Sequence, residues 1–304
     1  MTTTPTTVAV LGAGIMGRGI ARVFAAAGVD IHLREIDDDA IDRARQNLER
    51  DLERTVARGH LDEGDRDDLL SRIAWTTSLD EAVGEAELVI EAAPESLDLK
   101  RSIFAELDRL APPDAVLGTN TSALSVTSIA SAVERPERVI GLHFFNPVHR
   151  MDLVEVVIGT ATARETVERS LAACAVIGKT TIEVTDRPGF ATSRVNAMIG
   201  NEAFTMLMEG VASAEDIDTG MKLALNHPMG PFELVDLVGL DTRLSVLRRL
   251  HEGAGERFRP SPLLVSLVEA GRLGRKTGHG VYRYDDDGNR IPGSATIGDR
   301  PDSH

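Results

Sequence analysis

The residues best suited to acid–base chemistry in this chain are His143, Asn146 and Glu155. His143 and Asn146 stand in the segment GLHFFNP, and Glu155 follows twelve residues after the histidine, inside LVEVV. A histidine changes its protonation state near neutral pH, and an amide can hold a polar oxygen. A carboxylate flanked by valines needs a partner, because an unpaired buried charge is costly. The spacing therefore indicates that His143 is a general acid or base and that Glu155 is its partner.

A nucleotide-binding motif lies near the start of the chain. The apolar run Val8–Leu11 has the pattern of a buried strand and leads directly into GAGIMG, in which Gly12, Gly14 and Gly17 have the spacing GxGxxG. In this motif the first glycine permits a tight turn, the second lets the backbone approach a pyrophosphate, and the third lets the helix pack on the strand. A helical pattern follows, so the glycines stand in the setting that the motif requires.

An acidic residue further along the chain favours NAD over NADP. A second strand pattern ends at Glu35, 23 residues after Gly12, which is close to the roughly 20 expected for an acid that binds the adenine-ribose hydroxyls. A carboxylate there disfavours a 2′-phosphate. The guanidinium of Arg34 is a reservation, since it could partly accommodate that phosphate.

Polar side chains follow two further predicted strands. Glu95 and Lys100 come after the strand that ends at Glu91, and Asn120 and Ser122 come after the next one. Ligands of open α/β sheets bind at these strand ends. Two simpler interpretations stay open: Lys100 pairs with Glu95 on the surface, or Ser122 caps the helix that begins near Ser125.

The order of the patterns predicts an α/β fold in two domains. Residues 1–187 alternate strands and helices as in a Rossmann-type doubly wound sheet, with an inserted helical pair at about 37–72. Residues 188–284 read as an all-helical domain, and we expect the acidic tail 285–304 to be flexible. On the inserted pair, Arg54 and Arg58 share a helix face. They are either part of a solvated surface or a clamp for an anionic ligand.

Composition narrows the classes of partner and compartment. The net charge of −15 repels phosphate backbones, so we expect no binding to nucleic acid or to an anionic membrane surface. No signal peptide and no membrane span are expected. Cys174 is the only cysteine, which excludes an intrachain disulfide and a cysteine-built zinc site and favours a reducing cytoplasm. No metal is expected in the site.

Taken together, these segments resemble the L-3-hydroxyacyl-CoA dehydrogenase family, and most closely its short bacterial members. The resemblance covers about residues 7–284. It rests on the segments GAGIMGRGIA, EAAPESLDLK, NTSALS, HFFNPVHRMDLVEV, DRPGF, EGVASAEDID, NHPMGPFELVDLVGLDT and LGRKTGHGVY.

The resemblance implies an NAD-dependent oxidoreductase that acts on an acyl-CoA. In the family, the residue matched by His143 is the general acid/base, and the glutamate matched by Glu155 orients it. Residues matched by Ser122 and Asn146 support substrate and histidine, and a lysine matched by Arg58 lies on the insertion that holds coenzyme A. The helical domain carries the dimer contact. We therefore assign cofactor binding to Gly12, Gly14, Ile15, Met16, Gly17, Glu35, Ala92, Glu95, Lys100 and Asn120, and substrate binding to Ser122, Asn146, Ser193, Arg54 and Arg58.

Three departures from the family pattern bear on substrate preference. Ser193 stands where many members have asparagine, Ser96 follows Glu95 in place of asparagine, and His149 and Arg150 replace Pro-Val. Short-chain 3-hydroxybutyryl-CoA is the expected substrate. A longer or dicarboxylic acyl-CoA such as 3-hydroxyadipyl-CoA, a sugar acid such as L-gulonate, and a non-catalytic NAD-binding protein remain as alternatives.

Overall fold

Two compact units make up the chain, unit 1 (Met1–Arg187) and unit 2 (Pro188–His304). The structure, a computed structural model, describes residues 4–295. Between residues 4 and 295, no helix is both long and apolar enough to cross a membrane.

Unit 1 is built on one eight-stranded sheet. Its order is β3-β2-β1-β4-β5-β6-β7-β8, and every neighbouring pair is parallel except β6 and β7. The doubly wound fold expected from the sequence is confirmed. The strands are β1 Thr7–Leu11, β2 Asp30–Arg34, β3 Ile73–Thr76, β4 Leu88–Glu91, β5 Val116–Thr119, β6 Val139–Phe144, β7 Leu153–Ile158 and β8 Thr180–Thr185.

Seven helices connect these strands. The sequence pattern predicts α1 because its buried residues recur at helical spacing; they are Gly17, Ile20, Ala21 and Phe24. β3 and α4 were not predicted. Of the four residues of β3 only Ile73 is buried, so β3 lacks the apolar run of the equally short β4 and β5, and α4 spans only five residues. The helices are α1 Ile15–Ala26, α2 Asp38–Ala57, α3 Glu63–Ser71, α4 Leu79–Val83, α5 Leu97–Leu110, α6 Val126–Ala130 and α7 Arg164–Val176.

The predicted helical insertion is the pair α2 and α3. Asp37 begins α2 by accepting a hydrogen bond from the Ala40 amide at 2.7 Å, as N-cap carboxylates do. The highly charged helix buries one narrow stripe, Ile41, Ala44, Leu48 and Leu52. Three of these, Ala44, Leu48 and Leu52, belong to the same core as α1 and the central strands, so the insertion is anchored to the sheet domain.

The antiparallel pair β6–β7 is fixed by close packing. Residues 145–152 join the two strands without a crossover helix, which antiparallel neighbours permit. A Cβ added to Gly141 in β6 would lie 2.7 Å from Val157 Cβ in β7 and 2.8 Å from a Val126 methyl. Only glycine fits there without movement, so the pairing in which His143 lies opposite Glu155 is strongly specified.

Within residues 188–295, unit 2 contains five α-helices followed by a hairpin. Residues 232–251 have the pattern of one continuous helix, but the structure divides them between two helices. The chain breaks at Gly239, whose φ of 103° lies in a region that other residues rarely adopt. The helices are α8 Thr192–Met208, α9 Ala214–Leu225, α10 Pro231–Val238, α11 Leu240–Ala254 and α12 Pro262–Glu269.

Two buried carboxylates organise the core of unit 2. Asp236 accepts hydrogen bonds from the Val281 and Tyr282 amides and from the Tyr284 hydroxyl, at 2.8–2.9 Å. Asp218 accepts from the amide of Phe232 at 2.8 Å and from the hydroxyl of Tyr282 at 2.8 Å. These bonds tie α9 and α10 to the segment after α12.

The structure describes the first part of the tail that was expected to be flexible. Residues 285–295 have a defined path: the Asp285 amide donates to the Asn289 carbonyl at 3.0 Å, and the Ile291 amide donates to the Arg283 carbonyl at 2.9 Å. Ala295 is 7% exposed. The acidic composition gave no indication of this turn, which is stabilised by hydrogen bonds within its own backbone. Residues 296–304 lie outside the described residues.

We expect Asp218 to make the stability of unit 2 depend on pH. Burial raises the pKa of Asp218 to about 6 although three groups donate hydrogen bonds to it. Because the folded pKa exceeds the unfolded one, the folded state holds more protons in the pH window between them, and stability falls as pH rises through it. Between pH 4 and 7, the free energy of unfolding of wild type should fall by roughly 2 to 3 kcal/mol more than that of Asp218→Asn.

The measurement is denaturant unfolding followed by tyrosine near-UV circular dichroism. Both tyrosines of the chain, Tyr282 and Tyr284, lie in unit 2, whereas the only tryptophan, Trp75, lies in unit 1 and reports on that unit separately. A difference between wild type and Asp218→Asn that stays constant over this pH range would contradict the assignment.

Candidate active site and cofactor site

The candidate acid–base pair lies on the two antiparallel strands. Nδ1 of His143 is 2.6 Å from Oε2 of Glu155, and the two residues are direct cross-strand partners. His143 is 6% exposed and Glu155 is fully buried. The ring of Phe145 contacts the imidazole, with 4.4 Å between the ring centroids.

This arrangement is suited to proton transfer. A carboxylate at Nδ1 keeps the Nδ1–H tautomer, so that a neutral ring has its basic lone pair on Nε2. The same carboxylate stabilises the imidazolium after the ring takes up a proton. The structure thus brings together the two residues that the sequence analysis paired.

The two asparagines near His143 have different surroundings. Asn120, at the end of β5, accepts a hydrogen bond from the Phe144 amide at 2.9 Å through Oδ1. It therefore fixes the backbone beside His143. Asn146 is exposed and lines a cavity of about 340 Å³ in unit 1. Its amide is the one of the two that a ligand can reach from that cavity.

Glu95 holds the segment after β5. Its Oε1 accepts hydrogen bonds from the Thr121 hydroxyl at 2.6 Å, from the Ser122 amide at 3.0 Å and from the Ser122 hydroxyl at 3.3 Å. The alternative that Ser122 caps the next helix is wrong, because Ser125 is the N-cap of α6 and accepts from the Ser128 amide at 3.1 Å. Ser122 and Glu95 therefore form one local unit.

Glu91 is a buried residue of this region that sequence reasoning missed. Lys100 donates to Glu91 Oε1 at 2.7 Å, and both side chains are fully buried. The Ala93 amide and the Thr119 hydroxyl also donate to Glu91, at 2.6 and 2.7 Å. The sequence does contain a feature that could have identified Glu91: like Glu155, it is a carboxylate that directly follows apolar strand residues.

The interpretation of Lys100 as a surface partner of Glu95 is therefore wrong. Its Nζ lies 3.6 Å from Glu95 Oε2, but its main partner is Glu91, and it has no solvent exposure. Lys100 was also expected to bind the cofactor. In this arrangement it acts on the site indirectly, because it links Glu91 at the end of β4 to Glu95 beside Ser122.

The glycine loop has the geometry of a dinucleotide site. Gly12 has a φ of 94°, and a Cβ there would lie 3.0 Å from the Ala92 carbonyl oxygen. A Cβ on Gly17 would overlap the Gly12 carbonyl oxygen at 1.7 Å, whereas a Cβ on Gly14 would meet nothing within 4 Å. Gly12 and Gly17 are thus required by close packing. Gly14 faces open space at the start of α1, where a pyrophosphate would approach.

The two motif residues that follow Gly14, Ile15 and Met16, differ in their exposure to solvent. Ile15 is 67% exposed, and Met16 is half-buried and packs against the core of unit 1. Glu35, at the end of β2, accepts from the Ala13 amide at 2.7 Å and from the Ile36 amide at 2.9 Å. The acid and the glycine loop are therefore directly linked.

The side chain of Arg34 has a different hydrogen-bond partner from that of Glu35. Its Nε donates to the Thr77 carbonyl at 3.2 Å, which occupies one of the guanidinium donors. The contacts of Arg34 therefore do not support the alternative, left open from the sequence, that its guanidinium accommodates a 2′-phosphate.

The remaining predicted ligand residues are Arg54 and Arg58 in unit 1 and Ser193 in unit 2. Arg54 and Arg58 line the same 340 Å³ cavity as Asn146. Arg54 is 3.8 Å from Asp51, with both side chains largely exposed, so this ion pair contributes little. Ser193 lies in α8 of unit 2 and is half-buried.

Comparison with known proteins identifies the family. The family model described as "3-hydroxyacyl-CoA dehydrogenase, NAD binding domain" matches residues 7–187. The model described as "3-hydroxyacyl-CoA dehydrogenase, C-terminal domain" matches residues 189–284. The chain belongs to the 3-hydroxyacyl-CoA dehydrogenase family. The resemblance stated from the sequence is thus confirmed, as are an oxidoreductase activity and NAD as the cofactor.

Relatives within the 3-hydroxyacyl-CoA dehydrogenase family cover nearly the whole chain. A probable 3-hydroxybutyryl-CoA dehydrogenase of Bacillus subtilis is 44% identical over 91% of this chain and 96% of its own length. A 3-hydroxybutyryl-CoA dehydrogenase of Bradyrhizobium diazoefficiens is 45% identical over 91% and 94%. The crystal structure of (S)-3-hydroxybutyryl-CoA dehydrogenase from Ralstonia eutropha is 41% identical, with a TM-score of 0.90 over 93% of this chain and all of that one.

A matched pair of glycine variants tests the cofactor site. Gly17→Ala should lower stability by roughly 1 to 3 kcal/mol, because the overlap with the Gly12 carbonyl outweighs the gain of about 1 kcal/mol in helix propensity. Gly14→Ala should keep wild-type stability but weaken NADH binding roughly tenfold or more, since its methyl group enters the space facing the helix start.

Trp75 fluorescence on heating and an NADH fluorescence titration measure the two effects. Equal loss of stability in both variants, or unchanged NADH affinity in Gly14→Ala, would show that the loop does not bind the cofactor in this way.

Proposed function

We propose that this chain catalyses the reversible oxidation of a (3S)-3-hydroxyacyl-CoA to the 3-ketoacyl-CoA, with NAD as the acceptor and a short acyl chain. The observation that carries the proposal is the contact of 2.6 Å between His143 and Glu155 within the family's NAD-binding domain. NAD, when bound, accepts the hydride from C3 of the substrate. The protein supplies the proton transfer and the orientation.

His143 acts on the C3 oxygen. In oxidation it accepts the hydroxyl proton as the carbon–hydrogen bond breaks, and in reduction it returns a proton to the developing alkoxide. Glu155 stabilises the imidazolium that forms and keeps Nε2 directed to the substrate. Because Glu155 is fully buried, its interaction with the ring is stronger than it would be in water.

Hydrogen-bond donors assist at the substrate oxygens. The donors in unit 1 are the Asn146 amide and the Ser122 hydroxyl, whose single proton turns from Glu95 Oε1, 3.3 Å away, to the substrate oxygen. In unit 2, Ser193 replaces the family's asparagine. Donors placed where negative charge develops lower the barrier of the reductive direction. Glu95 supports this role, since its bonds to Ser122 and Thr121 fix the backbone that presents the serine.

The short acyl chain is inferred from the relatives. Proteins 44% and 45% identical to this chain carry the name 3-hydroxybutyryl-CoA dehydrogenase. Arg54 and Arg58 on α2 are the proposed contacts to the coenzyme A moiety, because they line the same cavity as Asn146. Dicarboxylic or longer acyl-CoAs and sugar acids are the competing substrates.

We propose further that the chain is a homodimer through unit 2 and that it works in the cytoplasm. Unit 2 exposes several large apolar side chains, of which Leu223 on α9 is 79% exposed and Leu225 is 60% exposed. Large exposed apolar side chains are a feature of protein contact surfaces. The single cysteine, Cys174, is buried, which suits a reducing compartment.

The function is tested by NADH consumption with acetoacetyl-CoA in wild type and in His143→Gln. Wild type should oxidise NADH rapidly, and the variant should lose about 10²- to 10⁴-fold in kcat while it still binds NADH. The matched control is His251→Gln, which changes a half-exposed histidine of α11 that contacts Glu256 and should leave kcat unchanged. Near-normal turnover by His143→Gln would refute its role.

The dimer is tested by sedimentation equilibrium. Wild type should have about twice the chain mass of 32.7 kDa, and the double variant Leu223→Glu, Leu225→Glu should dissociate because it places charge in an apolar contact. Leu99→Glu, at a leucine of unit 1 that is 40% exposed, is the matched control and should remain dimeric. A monomeric wild type, or a double variant that stays dimeric, would refute this surface.

A further inference from the structure

One oxygen of Glu95 has more hydrogen-bond donors around it than it can fully accept. The donors to Oε1 are the Thr121 hydroxyl at 2.6 Å, the Ser122 amide at 3.0 Å, the Ala123 amide at 3.2 Å and the Ser122 hydroxyl at 3.3 Å. A carboxylate oxygen has about two lone pairs. The four donors therefore compete, and the Ser122 hydroxyl, which is the farthest from Oε1, is the weakest competitor.

The Thr121 hydroxyl is the strongest competitor. Thr121 is 1% exposed, so water is not an alternative partner for its side chain. Its hydroxyl oxygen accepts a hydrogen bond from the Leu124 amide at 2.9 Å, while its proton is directed to Glu95. A short bond from a hydroxyl to a carboxylate is stronger than a bond between neutral groups. Thr121 therefore remains bonded to Glu95.

The Ser122 hydroxyl is the one donor of the four that can leave easily. The two amides are fixed by the backbone, and the threonine is buried. Ser122 is exposed, and within residues 4–295 the only hydrogen bond of its hydroxyl is the long one to Glu95. A serine hydroxyl rotates to suit its partner and has a single proton. Rotation of this side chain therefore exchanges Glu95 for a substrate oxygen.

The other oxygen of Glu95 is held from the opposite side. Lys100 Nζ lies 3.6 Å from Oε2, and it donates at 2.7 Å to Glu91, with both of these side chains fully buried. The ammonium group is thus fixed in place. Its attraction for Oε2 opposes a rotation of the carboxylate that would offer Oε2 to the crowded donors, so the competition at Oε1 persists.

We propose that Thr121 is a positioning residue that keeps the Ser122 hydroxyl available to the substrate by saturating Oε1 of Glu95. The inference rests on the proposed function, in which Ser122 donates a hydrogen bond to the substrate oxygen. With Thr121 present, removal of the serine proton from Oε1 costs little, because three other donors satisfy that oxygen. Without the threonine hydroxyl, the serine hydroxyl becomes the main side-chain donor to Glu95 and is held away from the substrate.

A purely structural role of Thr121 predicts the opposite dependence on Glu95. If Thr121 only anchored the segment after β5, a weaker acceptor at position 95 would loosen that segment further. In the proposed competition, a weaker acceptor releases the Ser122 hydroxyl. An amide oxygen is a weaker acceptor than a carboxylate oxygen. The rate lost through Thr121→Val should therefore be smaller in Glu95→Gln than in wild type.

The test measures the single-turnover rate of NADH oxidation, with enzyme and acetoacetyl-CoA in excess over NADH, because product release does not limit a single turnover. Thr121→Val should lower this rate roughly 3- to 10-fold, the equivalent of about one hydrogen bond. Thr121→Ser retains the hydroxyl and should keep the wild-type rate. In a Ser122→Ala background, Thr121→Val should change the rate less than about twofold, because no serine proton remains to be released.

The matched control is Thr166→Val. It removes a buried hydroxyl of α7 that donates to the Glu137 carbonyl at 2.7 Å, and it should leave the rate unchanged. Thermal unfolding followed by Trp75 fluorescence checks that each variant is folded. Thr121→Ala also lacks the hydroxyl and should lose the same factor as Thr121→Val, so it replaces that variant if valine prevents folding.

Each other outcome overturns the inference. Wild-type rates in Thr121→Val and Thr121→Ala show that the competition does not affect the reaction. An equal loss with and without Ser122, or an equal or larger loss in the Glu95→Gln background, leaves Thr121 a structural role only. A loss in Thr121→Ser as large as in Thr121→Val shows that the hydroxyl is not responsible. Absence of turnover in wild type refutes the proposed function itself.

Discussion

The antiparallel pairing of β6 with β7 is the constraint on which the site depends. It reverses the chain direction in a sheet that is otherwise parallel and sets His143 directly opposite Glu155. A shift of one strand by one residue would turn that strand's member of the pair to the opposite face of the sheet from its partner. The tight contact of Gly141 with Val157 makes such a shift costly, so the geometry of the acid–base pair is a consequence of strand register.

A second buried ion pair, Lys100–Glu91, extends this rigidity along the ends of the parallel strands. An isolated buried charge would be unfavourable, but here each group has several partners. Glu91 receives hydrogen bonds from Lys100, Ala93 and Thr119. Lys100 in turn reaches toward Glu95, which binds the Ser122 backbone. The polar residues after β4 and β5 therefore form one connected support for the segment that presents Ser122.

Much of this arrangement is readable from the sequence, because it follows from local patterns. The glycine spacing at Gly12, Gly14 and Gly17 and the isolated carboxylate Glu155 each carry their own physical reason. The division at residues 187 and 188 follows from the end of strand alternation. β3 was missed because it lacks the apolar run of β4 and β5, and α4 was missed because its five residues are too few for a helical period.

Other features depend on tertiary contacts that no local pattern encodes. Lys100 resembles a surface lysine in sequence, and only the packing of α5 against the sheet buries it. The break at Gly239 interrupts a continuous helical pattern because the backbone there takes a positive φ. The hairpin at 285–295 has an acidic, loop-like sequence, yet its backbone hydrogen bonds give it a defined path.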